Sequence, residues 1–178
     1  MTIIFRATTE LLDTVRHDLH RDHAFAAERV GFLTCRAGRL GSGGLLVLAA
    51  GYEAVADEHY LRDDRVGAMM GPSAIRQAMQ LAYNHGAEDV SIFHVHMHGH
   101  AGLPGFSTVD ITESLKFAPD FFTLAPRMPH GVLVLSRDQA IGLCWQAQHE
   151  QPALFDRFES VGAPMRAWRG AHDKSKTC

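Results

Sequence analysis

The segment His94-Val-His-Met-His-Gly-His100 places a histidine at every second position. This spacing, with the apolar residues before it, predicts a strand over Val90–His98. Alternate side chains of a strand share one face of the sheet, so His94, His96 and His98 are expected on one side. Because two imidazoles two residues apart at a strand end can converge on one metal ion, we expect a functional site here.

The composition fits a single globular domain. The chain has 178 residues, 12 of them histidine, with 46% hydrophobic and 21% charged residues. Such a chain can bury a core and does not have the composition of a disordered protein. A net charge of −3 gives no basic footprint for nucleic acid or an anionic membrane. No apolar run approaches the roughly 20 residues of a membrane span. We therefore expect no nucleic-acid partner and no membrane partner.

The cysteines and the first residues bear on the compartment. Cys35, Cys144 and Cys178 are too few and too scattered for a disulfide framework. The N-terminal residues lack the pattern of a signal peptide. Both features predict a reducing, cytoplasmic compartment.

Strand and helix patterns alternate on both sides of the histidine segment. Periodicity, caps and turn residues predict further strands at 2–7, Val30–Arg36, Gly44–Ala50, Gly131–Ser136 and Ala140–Gln146, and helices at 8–23, from Pro72 to Asn84–Gly86 and from Ser107 to about Phe117. Residues 52–70 are polar and irregular and are expected to form an exposed loop. The alternation predicts an α/β class with a mixed sheet.

Two enzyme families with alternating histidines were compared with this segment. The metallo-β-lactamase pattern, His-x-His-x-Asp-His, requires an aspartate that is absent here. The histidine-triad pattern matches over His94–His98 but not at Gly99-His100. A histidine-triad nucleotide hydrolase or transferase, with His96 or His98 as nucleophile, remains an alternative. That alternative gives the polar residues on either side of the segment no function.

Those flanking residues complete a longer motif. Glu28-Arg-Val-Gly-Phe-Leu33 lies upstream and Ser107-Thr-Val-Asp110 lies downstream. The ordered set resembles the JAMM motif of the JAB/MPN zinc metalloproteases, which runs Glu-x-x-Gly-x-Leu, His-x-His, Ser-x-x-Asp, and the resemblance covers roughly residues 10–146. It implies the cytidine-deaminase-like MPN/JAB fold, a three-layer α/β arrangement with a central mixed sheet flanked by helices. We expect one such domain over 1–160 and a C-terminal tail, partly frayed, over 161–178.

The histidine register departs from the family pattern. In the commonest form the serine follows the second histidine one residue sooner than Ser107 follows His98, and proline stands where this chain has Gly99. A one-residue insertion makes His96 and His98 the ligands, whereas a three-residue insertion makes them His94 and His96. We prefer the smaller change. His94 then supports the ligands from one position deeper, and His100 lies at the mouth of the site.

The resemblance also implies a role for each motif residue. His96, His98 and Asp110 are expected to hold one Zn²⁺ per chain. Glu28 is expected to act as general base and acid, and Ser107 to donate a hydrogen bond to the developing oxyanion. The implied reaction is metal-assisted hydrolysis of an amide bond.

Members of the family cleave peptide or isopeptide bonds after the C-terminal tail of ubiquitin or ubiquitin-like proteins. This chain resembles the stand-alone bacterial type, some of which accompany E1-like and E2-like proteins in conjugation operons, including antiviral ones. We therefore expect a deubiquitinase-like isopeptidase or processing protease whose partners are a ubiquitin-like protein or its conjugates, and E1/E2-like proteins of the same pathway. The segments 52–70 and Phe117–Pro129 are expected to shape its groove. A catalytically silent MPN interaction module is an alternative that predicts loss of a motif residue, and none is lost.

Overall fold

The structure of the protein is a computed structural model that describes residues 1–22, 28–41, 43–61, 67–86 and 89–170. Its strands are β1 (Ile3–Thr8), β2 (Val30–Arg39), β3 (Leu45–Ala54), β4 (Tyr60–Leu61), β5 (Met69–Met70), β6 (Ser91–Met97), β7 (His130–Leu135), β8 (Ala140–Trp145), β9 (Ala153–Leu154), β10 (Arg157–Val161) and β11 (Arg166–Arg169). Its helices are α1 (Thr9–Leu19), α2 (Pro72–Asn84) and α3 (Thr108–Phe117), with 3₁₀ turns at Asp57–His59 and Ala118–Thr123.

One large sheet organises the chain. It has nine strands in the order β11-β10-β1-β3-β2-β6-β7-β8-β9, and β4 and β5 form a separate two-stranded ribbon. The pairs β1–β10, β1–β3 and β6–β7 are parallel and the other neighbours are antiparallel. The α/β class with a mixed sheet, predicted from the alternation of elements, is confirmed.

Helix α1 covers one face of the sheet. Thr8 caps it, accepting a hydrogen bond from the backbone N–H of Leu11 at 3.2 Å, as the predicted cap requires. The helix ends at Leu19, earlier than predicted. Its buried residues Leu12, Val15 and Leu19 join a core with Phe5 and Phe93 of the sheet, among others.

Helices α2 and α3 lie on the opposite face. Helix α2 begins at Pro72 as predicted, because proline suits the first turn, where its missing N–H leaves no bond unmade. Its buried face consists of Ala74, Ala78 and Ala82, which pack with Phe32 and other residues of β2 and β6. Small side chains let the helix approach the sheet closely.

The C-terminal segment differs from the expected tail. β11 pairs antiparallel with β10, and Trp168 packs against Phe158 with ring centroids 5.6 Å apart. The ladder is made by backbone groups, so a polar sequence does not prevent this pairing. Within the predicted tail, Arg166–Arg169 therefore forms a strand of the sheet, and 171–178 lie outside the described residues.

The 52–70 segment is only partly the exposed loop that was expected. Tyr60 is buried, accepts a hydrogen bond from the N–H of Val30 at 2.8 Å and donates one to its carbonyl at 3.1 Å. Residues 62–66 lie outside the described part of the chain. Within the described residues, no helix has the length and apolar character needed to cross a membrane.

Candidate metal centre

The histidine-bearing strand β6 lies between β2 and β7. His96 is in register with Val30 of β2, and His94 with Phe32, so both imidazoles face the side of the sheet that carries α2 and α3. His98 follows the end of β6, and its N–H donates to the carbonyl of Leu135 at 2.9 Å, which continues the pairing with β7. The rings of His96 and His98 therefore stay on one side, with centroids 5.2 Å apart.

Glu28, two residues before β2, lies close to His96 and His98. Its N–H donates to the carbonyl of Gly67 at 2.9 Å, and Val30, two residues on, pairs with His96. Glu28, His96 and His98 each offer a ligand atom within 4.8 Å of the others, so this group can hold a metal ion. A Cβ on Gly67 would lie 2.8 Å from Oε2 of Glu28, so the glycine leaves space for the carboxylate.

Asp110 joins the group from the first turn of α3. Its Oδ1 lies 3.3 Å from Nε2 of His96, and its Oδ2 lies 3.9 Å from Nε2 of His98. The carboxylate also completes a capping box: Oδ2 accepts from the N–H of Ser107 at 2.7 Å, and Oγ of Ser107 accepts from the N–H of Asp110 at 3.1 Å. The helix start thus fixes this carboxylate beside the two imidazoles.

The protonation states of Asp110 and His98 favour binding of a cation. Burial opposes ionisation of Asp110, but the attraction of His96 and the hydrogen bond from Ser107 outweigh it and hold the pKa of Asp110 well below its usual range. Burial, followed by the neighbouring His96, lowers the pKa of His98. Asp110 is therefore an anion and His98 is neutral at pH 7, and these are the forms in which the two residues bind metals.

Nε2 of His96 bears on whether a metal ion fits this group. Nε2 of His96 is buried and makes no hydrogen bond of acceptable geometry among the described residues, although Oδ1 of Asp110 lies 3.3 Å away. Such an orphan costs about 1–3 kcal/mol, and a metal ion is one partner that would remove the cost. Ligands of tetrahedral zinc lie about 3.3 Å from one another, which is the separation of His96 Nε2 and Asp110 Oδ1. The residues present can therefore hold a metal ion.

His94 lies one position deeper than this group. It is buried, and it packs against Phe32 and Phe117 with ring centroids 5.8 and 5.1 Å away. Burial, reinforced by His96, lowers its pKa to about 3. Its Nε2 also has no hydrogen-bond partner within the described ranges. His94 is not part of the group formed by Glu28, His96 and His98.

His100 lies beyond the group, on the solvent side. It is exposed, its Nδ1 is 2.9 Å from the carbonyl of Ala101, and its ring centroid lies 5.8 Å from that of His98. His100 is not among the residues that line the cavity over the group.

A cavity of about 330 Å³ opens over the group. Its walls include the motif residues and apolar side chains from three elements, among them Met70, Phe106, Val109, Phe117 and Val132. Sequence analysis did not single out Phe106, Val109 or Gly67, because nothing in their local pattern distinguishes them from ordinary loop and helix residues.

The segments expected to shape the groove contribute less than predicted. From 52–70, Gly67, Ala68 and Met70 line the cavity, whereas the hydroxyl of Tyr52 donates to Asp18 at 2.6 Å on the α1 side. From 117–129, Phe117 lines the cavity, whereas Phe121 and Phe122 pack in the core.

The comparisons with known proteins assign no family. No family model matches the sequence, and no curated protein matches it. Among solved structures, the chain is similar to the STIL N-terminal domain of Trichoplax adhaerens, with 12% identity and a TM-score of 0.39. The match covers 77% of this chain and 39% of that chain, so this chain spans well under half of its length. A likeness of this size carries no argument about fold or function.

Proposed function

We propose that the chain is a zinc-dependent isopeptidase or peptidase of the JAB/MPN type, with the corresponding MPN/JAB fold. One observation carries the proposal. Glu28, His96 and His98 converge within 4.8 Å, and Asp110 lies 3.3 and 3.9 Å from the same two imidazoles. The residues of the JAMM-like motif lie far apart in sequence on different elements, and their meeting supports the resemblance.

Each residue has a distinct place in the proposed site. His96, His98 and Asp110 would hold the zinc ion, and Glu28 borders it from β2. When bound, zinc supplies Lewis acidity and lowers the pKa of a coordinated water toward about 7. Two neutral imidazoles and one carboxylate leave a fourth position free, which is typical of catalytic rather than structural zinc.

Glu28 is the proposed proton carrier. Its carboxylate accepts a proton from the attacking water as the water oxygen bonds to the amide carbon. It then donates that proton to the amine nitrogen as the carbon–nitrogen bond breaks. The backbone hydrogen bond to Gly67 holds Glu28 where it lines the cavity.

Ser107 is the proposed donor to the oxyanion. Its Oγ accepts a hydrogen bond from the N–H of Asp110, so its own hydroxyl proton is left to donate, and the residue is exposed to the cavity. Removal of such a donor costs hydrolases about 3–4 kcal/mol of transition-state stabilisation.

The proposed substrate is the C-terminal tail of a ubiquitin-like protein, as a fusion or a conjugate. The cavity is an open cleft with apolar walls at Met70, Phe106 and Val109. An extended tail can bind along such a cleft by pairing its backbone with a neighbouring strand. The ubiquitin-like specificity rests on the resemblance of the motif, as do the proposed E1/E2-like partners.

Metal analysis and hydrolysis of a ubiquitin-like fusion test the proposal together. Purified protein should carry about one zinc per chain, and Asp110→Ala should lose it. Glu28→Gln should keep zinc while hydrolysis collapses, whereas Glu113→Gln, on the rim of the same cavity, should keep both. Loss of zinc in Glu28→Gln would instead make Glu28 a ligand. Absence of zinc, with nucleotide hydrolysis that survives a chelator, would favour the histidine-triad alternative.

A further inference from the structure

A second surface lies on the same sheet, away from the metal centre. Strands β3, β1 and β10 are in register, so that Leu46, Ile4 and Arg157 form one row and Leu48, Arg6 and Glu159 the next. Register partners share a face of a sheet. We call this surface the open face and define it by its described residues Ile4, Arg6, Arg36, Leu46, Leu48, Arg157, Glu159 and Val161.

The open face is the reverse of the surface that α1 covers. Phe5, Val47 and Phe158, the sequence neighbours of these residues, pack in the core with α1. Successive strand residues point to opposite sides, so the open face looks away from α1. On that side α2 contacts β2 and β6, which lie beyond β3 in the sheet.

Aliphatic side chains are exposed across three adjacent strands of this face. Leu48 of β3 and Val161 of β10 are each 41% exposed. Leu46 lies next to Leu48 on β3 and Ile4 lies beside Leu46 on β1, and both are half-buried. Val161 lies apart from these three residues, across Arg6 and Thr8. Single exposed aliphatic residues are ordinary, but Ile4, Leu46 and Leu48 are contiguous on two neighbouring strands and form an apolar patch that a partner can cover.

Arginines surround these aliphatic residues. Nε of Arg6 donates to Oε2 of Glu159 at 2.7 Å, and Nε of Arg157 donates to Oε1 at 2.6 Å. Arg36, in register with Leu48, donates to the carbonyl of Asp89 at 2.9 Å. The residues that define the face therefore include three guanidinium groups against the buried carboxylate of Glu159, and Arg169 of β11, in register with Arg157, adds a fourth, on a chain whose net charge is −3.

Glu159 also orders the two guanidinium groups that it binds. It is 3% exposed and accepts hydrogen bonds from both arginines, so their positions are set before any ligand arrives. Less side-chain entropy is then lost when a partner's carboxylates bind to them.

We propose that the open face binds an acidic amphipathic helix of a partner protein. The aliphatic side chains of that helix would pack on Ile4, Leu46 and Leu48, and its carboxylates would pair with Arg6, Arg36 and Arg157. A helix is the natural cover for a sheet face, as α1 shows on the reverse side. Single-stranded nucleic acid fits less well, because its bases stack on aromatic rings and the open face as defined has none.

Fluorescence anisotropy with designed peptides tests the proposal. The probe is a helical peptide of about 18 residues, about 27 Å long, with leucine on one face and glutamate on both flanks. A second peptide replaces each glutamate by lysine, and a single-stranded oligothymidine is the third probe. We expect the acidic peptide to bind with an affinity that falls as salt rises, and the other two not to bind.

Matched variants locate the binding. Leu48→Glu and Arg36→Gln should each weaken the acidic peptide by about tenfold or more. Leu115→Glu on α3, where the side chain is 48% exposed, and Arg76→Gln on α2 make the same changes elsewhere and should not. Thermal unfolding checks that each variant is folded. If Leu48→Glu is unfolded, Arg36→Gln alone still tests the proposal. Lack of binding, equal loss in the control variants, or equally tight binding of the lysine peptide or the oligonucleotide would overturn the proposal.

Discussion

Oδ1 of Asp110 lies 3.3 Å from Nε2 of His96, and the other oxygen of that carboxylate caps α3 through the N–H of Ser107. One side chain therefore serves both the metal group and the helix start. Two variants distinguish the contribution of Asp110 to metal binding from its contribution to the helix cap. In Asp110→Asn the amide oxygen can still accept from Ser107, but the negative charge is lost, whereas Asp110→Ala loses both.

We expect Asp110→Asn to weaken zinc binding about tenfold or more with little change in the stability of the metal-free protein. Asp110→Ala should lose zinc and also about 1 kcal/mol of stability through the lost cap. Competition with a chromophoric chelator measures the first effect, and denaturation of the metal-free protein measures the second. Equal zinc affinity in wild type and Asp110→Asn would remove Asp110 from the ligand set.

The register of the ligands predicts opposite results for two histidines. His98→Leu should lose zinc, because His98 belongs to the convergent group. His94→Leu should keep zinc and leave stability unchanged or raised, because it removes a buried nitrogen that has no partner within the described residues. Metal content and melting temperature check both variants. Zinc lost only in His94→Leu would move the ligands to His94 and His96.

We predict that a side chain at Gly31 in β2 disturbs the packing of Tyr52. A Cβ there would lie 2.4–2.7 Å from the ring and hydroxyl of Tyr52, whose hydroxyl is bound to Asp18. Gly31→Ala should therefore cost about 1–3 kcal/mol of unfolding free energy. Gly38→Ala, in the same strand with no atom within 4 Å of the new Cβ, should be close to neutral. Chemical denaturation compares the two, and equal stabilities would show that Tyr52 moves aside freely.

His130 predicts a pH dependence of stability that is separate from the metal group. Its Nδ1 accepts from the N–H of Ile92 and its Nε2 donates to the carbonyl of Ala125, both at 3.0 Å, and burial lowers its pKa to about 4 from 6.5. Between these pH values the unfolded chain binds more protons than the folded one. Stability is therefore full above pH 6.5 and is lost as pH falls toward 4, by about 3 kcal/mol.

Denaturation of metal-free protein at several pH values between 4 and 7 measures this loss. His130→Gln should reduce the slope over that interval, leaving the part due to His94, whose pKa is also lowered, whereas His149→Gln, at an exposed position, should leave the curve unchanged. An unchanged slope in His130→Gln would assign the acid sensitivity to other groups.

Local chemistry explains which elements were predictable. The caps at Thr8 and Ser107 and the proline at Pro72 act on the turn that follows them, so the starts of all three helices agree with the sequence. The histidine alternation likewise fixed which side chains share a face. The choice among His94, His96 and His98 depended on Glu28 and Asp110, which lie in other elements.

Features that depend on distant partners were not predictable. β10 and β11 are short and polar, and they exist as strands because β1 and then β10 offer free backbone groups. The alanine face of α2 was not identified, because helical spacing alone also allows a face with Ile75, Met79 and Tyr83, the last of which is 69% exposed. The role of Gly67 depends on a contact with Glu28 that leaves no sequence pattern.

The position of β1 has a consequence for synthesis. β1 is paired on one side with β3 and on the other with β10, so its pairing cannot be completed until β10 has been synthesised. While Arg157–Val161 is still inside the ribosome, β1 has no partner strand on that side and is an unprotected edge. Phe5 of β1 then lacks its core neighbour Phe158. Long-range parallel pairing is slow to form. The sheet, and with it the full core under α1, can therefore be completed only after Arg157–Val161 has left the ribosome.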